Sequence, residues 1–272
     1  MNTRDNLYRK ILEVVALLFT PLITIFLTKY MVGEDFLDYS LHSDAAWELT
    51  YIKLYSNSIF SHIYSDPHMG APLSITHNFW PWRQIIMGAH YFLIGLFESD
   101  ILQIFRTFYY SLFPLCALSM FISLRYYIRT SIVVASGIGI LYAFIPFITV
   151  QHVHASVVIN NVGIPLLLGI ACYFDNKIYE NNSYKEHLLS KKTIITFIII
   201  FLCTSLSLYN CFYFLLILLF LLVKELLSSN KNKTKIYIVS LFILISFLTA
   251  VFNIYPHLNF RLASHFTYDS MT

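Results

Sequence analysis

The residues able to do chemistry are concentrated in one polar stretch, Gly33 to Arg83, and in a few positions flanking apolar runs. That stretch carries Glu34, Asp35, Asp38, Asp44, Glu48 and Asp66 together with His42, His62, His68 and His77. Asp44 stands in His42-Ser43-Asp44-Ala45-Ala46-Trp47, immediately before a helical pattern. One reading is a helix N-cap, because Asp is preferred there and its charge suits a helix N-terminus. The other is a general base: a carboxylate partly withdrawn from water takes the proton of an acceptor hydroxyl while that oxygen attacks a sugar. The two readings are compatible. The turn Asp66-Pro67-His68 is the second candidate centre in the same stretch.

Two further sets of residues lie outside it. His152 and His154, in Gln151-His152-Val153-His154, share a face only if that segment is extended. A divalent metal held there needs Asp44 or Asp66 as a third ligand, and the alternative is a pair of hydrogen-bonding imidazoles. Arg83 and Arg106, with Lys53 and Arg261, are cations suited to a phosphate or to a lipid headgroup, and Arg adds a bidentate fork. No Walker A, GxGxxG, GxSxG or HExxH pattern occurs. That argues against an ATP-driven transporter, a dinucleotide enzyme, an ester hydrolase and a zincin.

The elements that position these residues are membrane spans. Of 272 residues, 57% are hydrophobic and 12% charged, about half the roughly 25% charge of a soluble domain. Apolar runs of about 20 residues recur, the length a bilayer core requires of a helix. The four cysteines all lie inside such runs without a CxxC, and read as small buried hydrophobes. The fold class is an all-α polytopic membrane protein forming a single integral membrane domain over 1–272. Nucleic acid is not among the expected partners.

A first span, Ile11–Val32, is longer than a signal-peptide core and no small-residue cleavage site follows. Within the outer loop 33–103, Trp47, Tyr51, Tyr55, Ile59 and Ile63 recur every four residues and predict an interfacial helix over 45–63. The run Ile85–Phe97 is too short to span and reads as interfacial or re-entrant. A helical bundle over 104–253 contains spans at Ile104–Leu124, Ile132–Val150, Val157–Phe174 and Ile236–Asn253, and 254–272 reads as the start of an outer segment. The run Thr193–Val223 makes about 46 Å of helix against a core of about 30 Å. Its polar knot, Ser205-Leu206-Ser207-Leu208-Tyr209-Asn210, predicts two short half-helices forming a hairpin, giving about six to seven transmembrane helices in all.

Charge distribution orients the bundle. Segments 1–10, 125–130, 175–192 and 224–235 hold 13 of the 18 Lys and Arg, and a cytoplasmic placement of all four requires the hairpin. Nine of the 15 acids and nine of the 10 histidines then fall on the outer side or at the outer ends of spans.

The order of these features resembles a known family. A Ser-Asp before an aromatic helix is followed by Met69-Gly70-Ala71-Pro72-Leu73 and by Asn78-Phe79-Trp80-Pro81. A span end Leu141-Tyr142-Ala143-Phe144-Ile145-Pro146, a His ahead of Pro165, and Ser207-Leu208-Tyr209-Asn210-Cys211-Phe212-Tyr213 complete the pattern. This resembles the large bacterial polytopic membrane proteins related to YfhO, with the architecture of GT-C glycosyltransferases. The resemblance implies a bacterial cytoplasmic-membrane enzyme using a polyprenyl-phosphate-linked sugar donor and a glycan, lipid or protein acceptor. It maps the catalytic Asp of the first outer loop onto Asp44. Arg83, Arg106, His152, His154, Asp66 and His68 are then the candidate substrate contacts, and a divalent metal is the one cofactor considered. Members are usually longer, so the resemblance also implies an N-terminal portion or a truncated member. The acid often found just before the late His is replaced by Gln151 and Val153. The non-enzymatic alternative is a transporter or assembly factor for lipid-linked glycans.

The positive-inside split makes a direct expectation. In a cysteine-free background an impermeant thiol reagent labels a cysteine placed at position 66 in intact cells and spares one at 185. Outside labelling at 185 contradicts the assigned topology.

Overall fold

The computed structural model describes residues 3–32, 81–145, 155–176, 191–229 and 231–268, and these form helices with no strand among them. The chain divides into two compact units, 1–52 with 97–176 and 53–96 with 177–272.

In the first unit, α1 (Thr3–Val32) buries a stripe of Thr20, Thr24 and Thr28, spaced one turn apart. Two of the three hydroxyls are satisfied by their own helix: Thr24 donates to the Thr20 carbonyl at 2.8 Å and Thr28 to that of Thr24 at 2.7 Å, while the Thr20 hydroxyl has no hydrogen-bond partner among the described residues. Small side chains with internally paired hydroxyls let helices approach closely in lipid. The opposite face, with Leu18, Phe19, Leu22 and Phe26, is apolar and exposed, as a lipid-facing surface must be.

The helix Pro81–Gly95 (α2), counted to the second unit, opens on a proline, whose missing N–H costs nothing in a first turn. The first unit resumes with α3 (Ile101–Ile122), capped by Asp100, whose carboxylate accepts from Leu102 N–H at 3.0 Å. A π segment, Ser123–Ile128, prolongs it, followed by α4 (Ile132–Ala143) and α5 (Ala155–Asn176).

Pairwise contacts fix the directions. Gly139 sits where a Cβ would stand 2.7 Å from the Ala117 carbonyl, and Phe144 stacks on Phe113 at 5.8 Å, so α3 and α4 are antiparallel. Ser123 donates to the Pro165 carbonyl at 2.6 Å and Tyr127 meets Tyr173 edge-on at 6.1 Å, so α3 and α5 run parallel. Arg125 pairs with Glu13 and donates to the Thr130 carbonyl at 3.0 Å, and α1 packs along α3 and α4. The start of α1 therefore lies beside the end of α3. Counting about 1.5 Å per residue from that pair brings Val32 level with Arg106.

In the second unit, α6 (Lys191–Ser205), α7 (Leu208–Leu227) and α8 (Lys233–Tyr268) pack together. Glu225 pairs with Lys235 at 3.1 Å, and the Cys211 thiol donates to the Ser246 carbonyl at 3.2 Å, so α7 and α8 are antiparallel. Phe197 of α6 meets Phe242 of α8 edge-on at 5.2 Å. Were α6 a straight continuation of α7, Phe197 would lie about 21 Å beyond Cys211, opposite the far part of α8. It lies on the near side of Ser246 instead. The chain therefore reverses at Leu206–Ser207, and Lys191, Lys224 and Lys233 come to one end of the unit.

The expected hairpin is thus present with unequal arms. α6 has 15 residues, while α7 has 20 and is long and apolar enough to cross a membrane by itself. Five described helices meet that standard, at Lys10–Met31, Ile101–Ile128, Val158–Asn176, Leu208–Leu227 and Lys233–Asn253. Shorter apolar helices cover Ile86–Gly95, Ile132–Ala143 and Thr193–Ser205. Two further differences have local causes. The expected connector at 125–130 is wound as far as Ile128, because Arg129 adopts a left-handed cap at φ 69° whose N–H bonds the Leu124 carbonyl. The last helix does not stop at Asn253 but runs on to Tyr268 through Pro256. The interfacial helix expected over 45–63 lies outside the described residues.

Candidate functional site

One end of the first unit gathers the described side chains relevant to a site. The α3–α5 contacts, Tyr127 beside Tyr173 and Ser123 beside Pro165, bring Ala155 level with the stretch Tyr109–Phe113, about one to two turns inward of Arg106. α1 also ends there, with Lys29 exposed in its last turn.

Arg106 is half-buried on α3. Tyr109 and Phe113 are fully buried and meet edge-on at 5.4 Å; Phe113 carries Phe144 on its other side, and Tyr110 lies 6.5 Å from Tyr109. At the same end Asp100 caps α3, and Glu98 bonds the backbone just ahead of it. Glu98 accepts from the N–H groups of Ser99 at 3.0 Å and Asp100 at 3.2 Å, and Asp100 accepts from Leu102.

Two of the residues that carried the family resemblance meet in a specific contact here. Proline has no N–H, so Pro165 within α5 leaves the carbonyl of Asn161 without its helical donor. The Tyr142 hydroxyl, reaching across from α4, donates to that carbonyl at 2.9 Å. Asn161 is 4% exposed, so water is not the substitute. A second motif has a comparable part in the other unit. Ser207 caps α7 by accepting from Tyr209 N–H at 3.1 Å, and the Asn210 amide donates to the Cys203 carbonyl at 3.4 Å. These motif residues secure backbone at membrane depth.

The remaining residues singled out in the sequence are distributed as follows. Asp44, Asp66, His68, His152 and His154 lie outside the described residues. Arg83 lies in the first turn of α2, in the other unit from Arg106. His90, on the same short helix, is pushed below the ordinary imidazole pKa by burial, so at neutral pH it offers no charge to a phosphate. Among the described residues no three His, Cys, Asp or Glu come together to hold a metal ion. Sequence reasoning missed the Glu13–Arg125 pair. The signal was present: Glu13 is the one acid within the first apolar run, and Arg125 directly follows the next long span.

No family model matches the chain, and neither a curated protein nor a solved structure matches it.

The tyrosine–carbonyl contact is testable by a double-mutant cycle. Tyr142→Phe leaves a buried carbonyl without a donor and costs about 1–3 kcal/mol. In a Pro165→Ala background residue 165 regains its N–H, and the same Tyr142→Phe change costs less than about 0.5 kcal/mol. Equal losses in both backgrounds, measured by thermal or denaturant unfolding in detergent, contradict the assignment.

Proposed function

We propose that the protein is a GT-C-like glycosyltransferase, or a portion of one. It transfers a sugar from a polyprenyl-phosphate-linked donor on the outer face of the bacterial cytoplasmic membrane, with its N-terminus cytoplasmic. The observation that carries this reading is the position of Arg106. A half-buried guanidinium lies at the end of the first unit where α5 begins. In the second unit the lysines at the starts of α6 and α8 and at the end of α7 share one end. Such clustering is the pattern of a cytoplasmic face.

In this reading Arg106 holds the donor's phosphate through its planar fork, and Asp44 is the general base. Arg106 is preferred to Arg83 because it shares a unit with the helix that His152 and His154 lead into. Those imidazoles then contact sugar or acceptor, while Asp66 and His68 belong to the alternative centre. A divalent metal would draw on Asp44 or Asp66 with the two histidines.

Asp44→Asn separates the roles, since Asn and Asp serve equally well as N-caps but only the carboxylate accepts a proton. Assayed in membranes with a radiolabelled polyprenyl-phosphate sugar, Asp44→Asn is expected to lower transfer at least about a hundredfold, with expression and thermal stability unchanged. Arg106→Lys is expected to weaken donor binding while leaving a folded protein. If Asp66→Asn abolishes transfer and Asp44→Asn does not, the Asp66-Pro67-His68 turn is the active centre. Donor binding without transfer in the wild-type protein favours the transporter or assembly-factor reading instead.

A further inference from the structure

The 36 residues of α8 make about 54 Å of helix, whereas a hydrocarbon core is about 30 Å thick. The 21 residues from Lys233 to Asn253 are apolar enough to cross and already fill that thickness. Lys233 stands at the lysine-bearing end, so Asn253 marks the opposite edge of the core. The remainder, 254–268, continues as helix for about 22 Å beyond that edge. Pro256 stands at the exit, where it deprives the Phe252 carbonyl of its helical donor. Water can replace that donor at a membrane edge, and hydrocarbon cannot.

Beyond Asn253 the sequence is amphipathic, with a basic polar face. His257, Arg261 and His265 follow at intervals of four and share one face of the helix. Leu258, Leu262 and Phe266 repeat at the same interval on the adjoining face. The continuous helix fixes the spacing of the basic set: residues four apart have Cβ atoms about 6 Å apart, so neighbouring members can share one small ligand. No carboxylate of the same helix neutralises them, because no Asp or Glu occurs between Glu225 and Asp269.

Two properties select that ligand. A guanidinium offers only N–H donors and keeps its positive charge, so Arg261 takes an anionic acceptor and refuses a cation. Depth then selects among anions. Along the axis His257 lies about 6 Å and Arg261 about 12 Å past Asn253, and the headgroup layer of one leaflet is about 5–8 Å thick. The basic face therefore begins within the headgroup layer and continues past it, and the abundant anion at that depth is lipid phosphate. An adjoining apolar face completes the pattern of helices that lie against anionic lipid. We propose that the basic face of 254–268 binds the phosphate of an anionic phospholipid in the leaflet opposite the lysine-bearing end. Arg261 supplies the bidentate fork, with His257 and His265 one turn to either side. This inference does not depend on the glycosyltransferase reading.

The test uses the full chain in phosphatidylcholine vesicles containing a minor fraction of phosphatidylglycerol with a photoreactive group at the top of one acyl chain. After irradiation, labelled peptides are quantified by mass spectrometry. Photoreactive phosphatidylglycerol is expected to label 254–268 more than phosphatidylcholine bearing the same group does. Arg261→Ala is expected to lower that labelling about fivefold, and Arg261→Lys, which keeps the charge, to retain most of it. Labelling beside Lys231 and Lys233, at the other end of α8, stays unchanged and shows that each variant is inserted and folded. If Arg261→Ala does not insert, the wild-type comparison of the two lipids decides, with unlabelled phosphatidylglycerol expected to displace the label. Equal labelling by both lipids, or labelling indifferent to Arg261→Ala, would overturn the proposal. Displacement by inorganic phosphate as readily as by phosphatidylglycerol would replace the lipid with a free anion. Displacement by undecaprenyl phosphate and not by phosphatidylglycerol would replace the phospholipid with a polyprenyl carrier.

Discussion

In lipid no water is present to receive a backbone carbonyl whose helical donor is missing, and this constraint shapes the irregular points among the described residues. Three interruptions are met in three ways. Pro165 frees the Asn161 carbonyl, and Tyr142 supplies a hydroxyl from the neighbouring helix. The widened turn at Ser123–Ile128 ends with the Leu124 carbonyl collecting the N–H groups of Arg129 and Thr130, which is why Arg129 accepts a left-handed conformation. At Leu206–Ser207 the chain turns back altogether, with Ser207 and Asn210 covering freed backbone groups on either side. Each repair involves a polar residue that would otherwise be a liability in an apolar run.

These repairs organise the larger architecture. The Tyr142 hydroxyl ties α4 to α5, and the Ser123 hydroxyl ties the end of α3 to the middle of α5, where a Cβ on Gly169 would come within 3.2 Å of the Ser123 Cα. With α1 held at the opposite end by the Glu13–Arg125 pair, the four helices present Arg106 and the entry to α5 at one end. In the second unit the reversal returns α7 to the lysine-bearing end.

Much of the helical framework was legible from apolar run length alone, because hydrocarbon thickness is a strict ruler. The first span, the α5 span and the interruption at the Ser205–Asn210 knot follow from it directly. Less legible were features set by neighbours. A 31-residue run does not reveal that one arm is 15 residues and the other 20, since the position of the turn depends on where Ser207 and Asn210 find partners. Nor does a lone Glu13 reveal Arg125, which is 112 residues away and adjacent only through antiparallel packing. The candidate site was legible only as types and spacings. Arg106 acquires meaning from the level at which α5 begins, and a sequence carries no record of that level. The residues of the family resemblance were noticed as motifs, yet Tyr142, Pro165, Ser207 and Asn210 are explained by backbone satisfaction before any catalysis is invoked.

The reversal at Leu206–Ser207 is the claim on which topology and lysine distribution both rest, and a single distance tests it. Ile194 and Lys224 are exposed positions on α6 and α7, suited to paired spin labels. Adjacent antiparallel helices have axes about 8–10 Å apart, so pulsed dipolar spectroscopy should give a label separation below about 25 Å. A continuous helix through the same residues would hold the labels about 45 Å apart. A distribution centred near that longer distance would contradict the account.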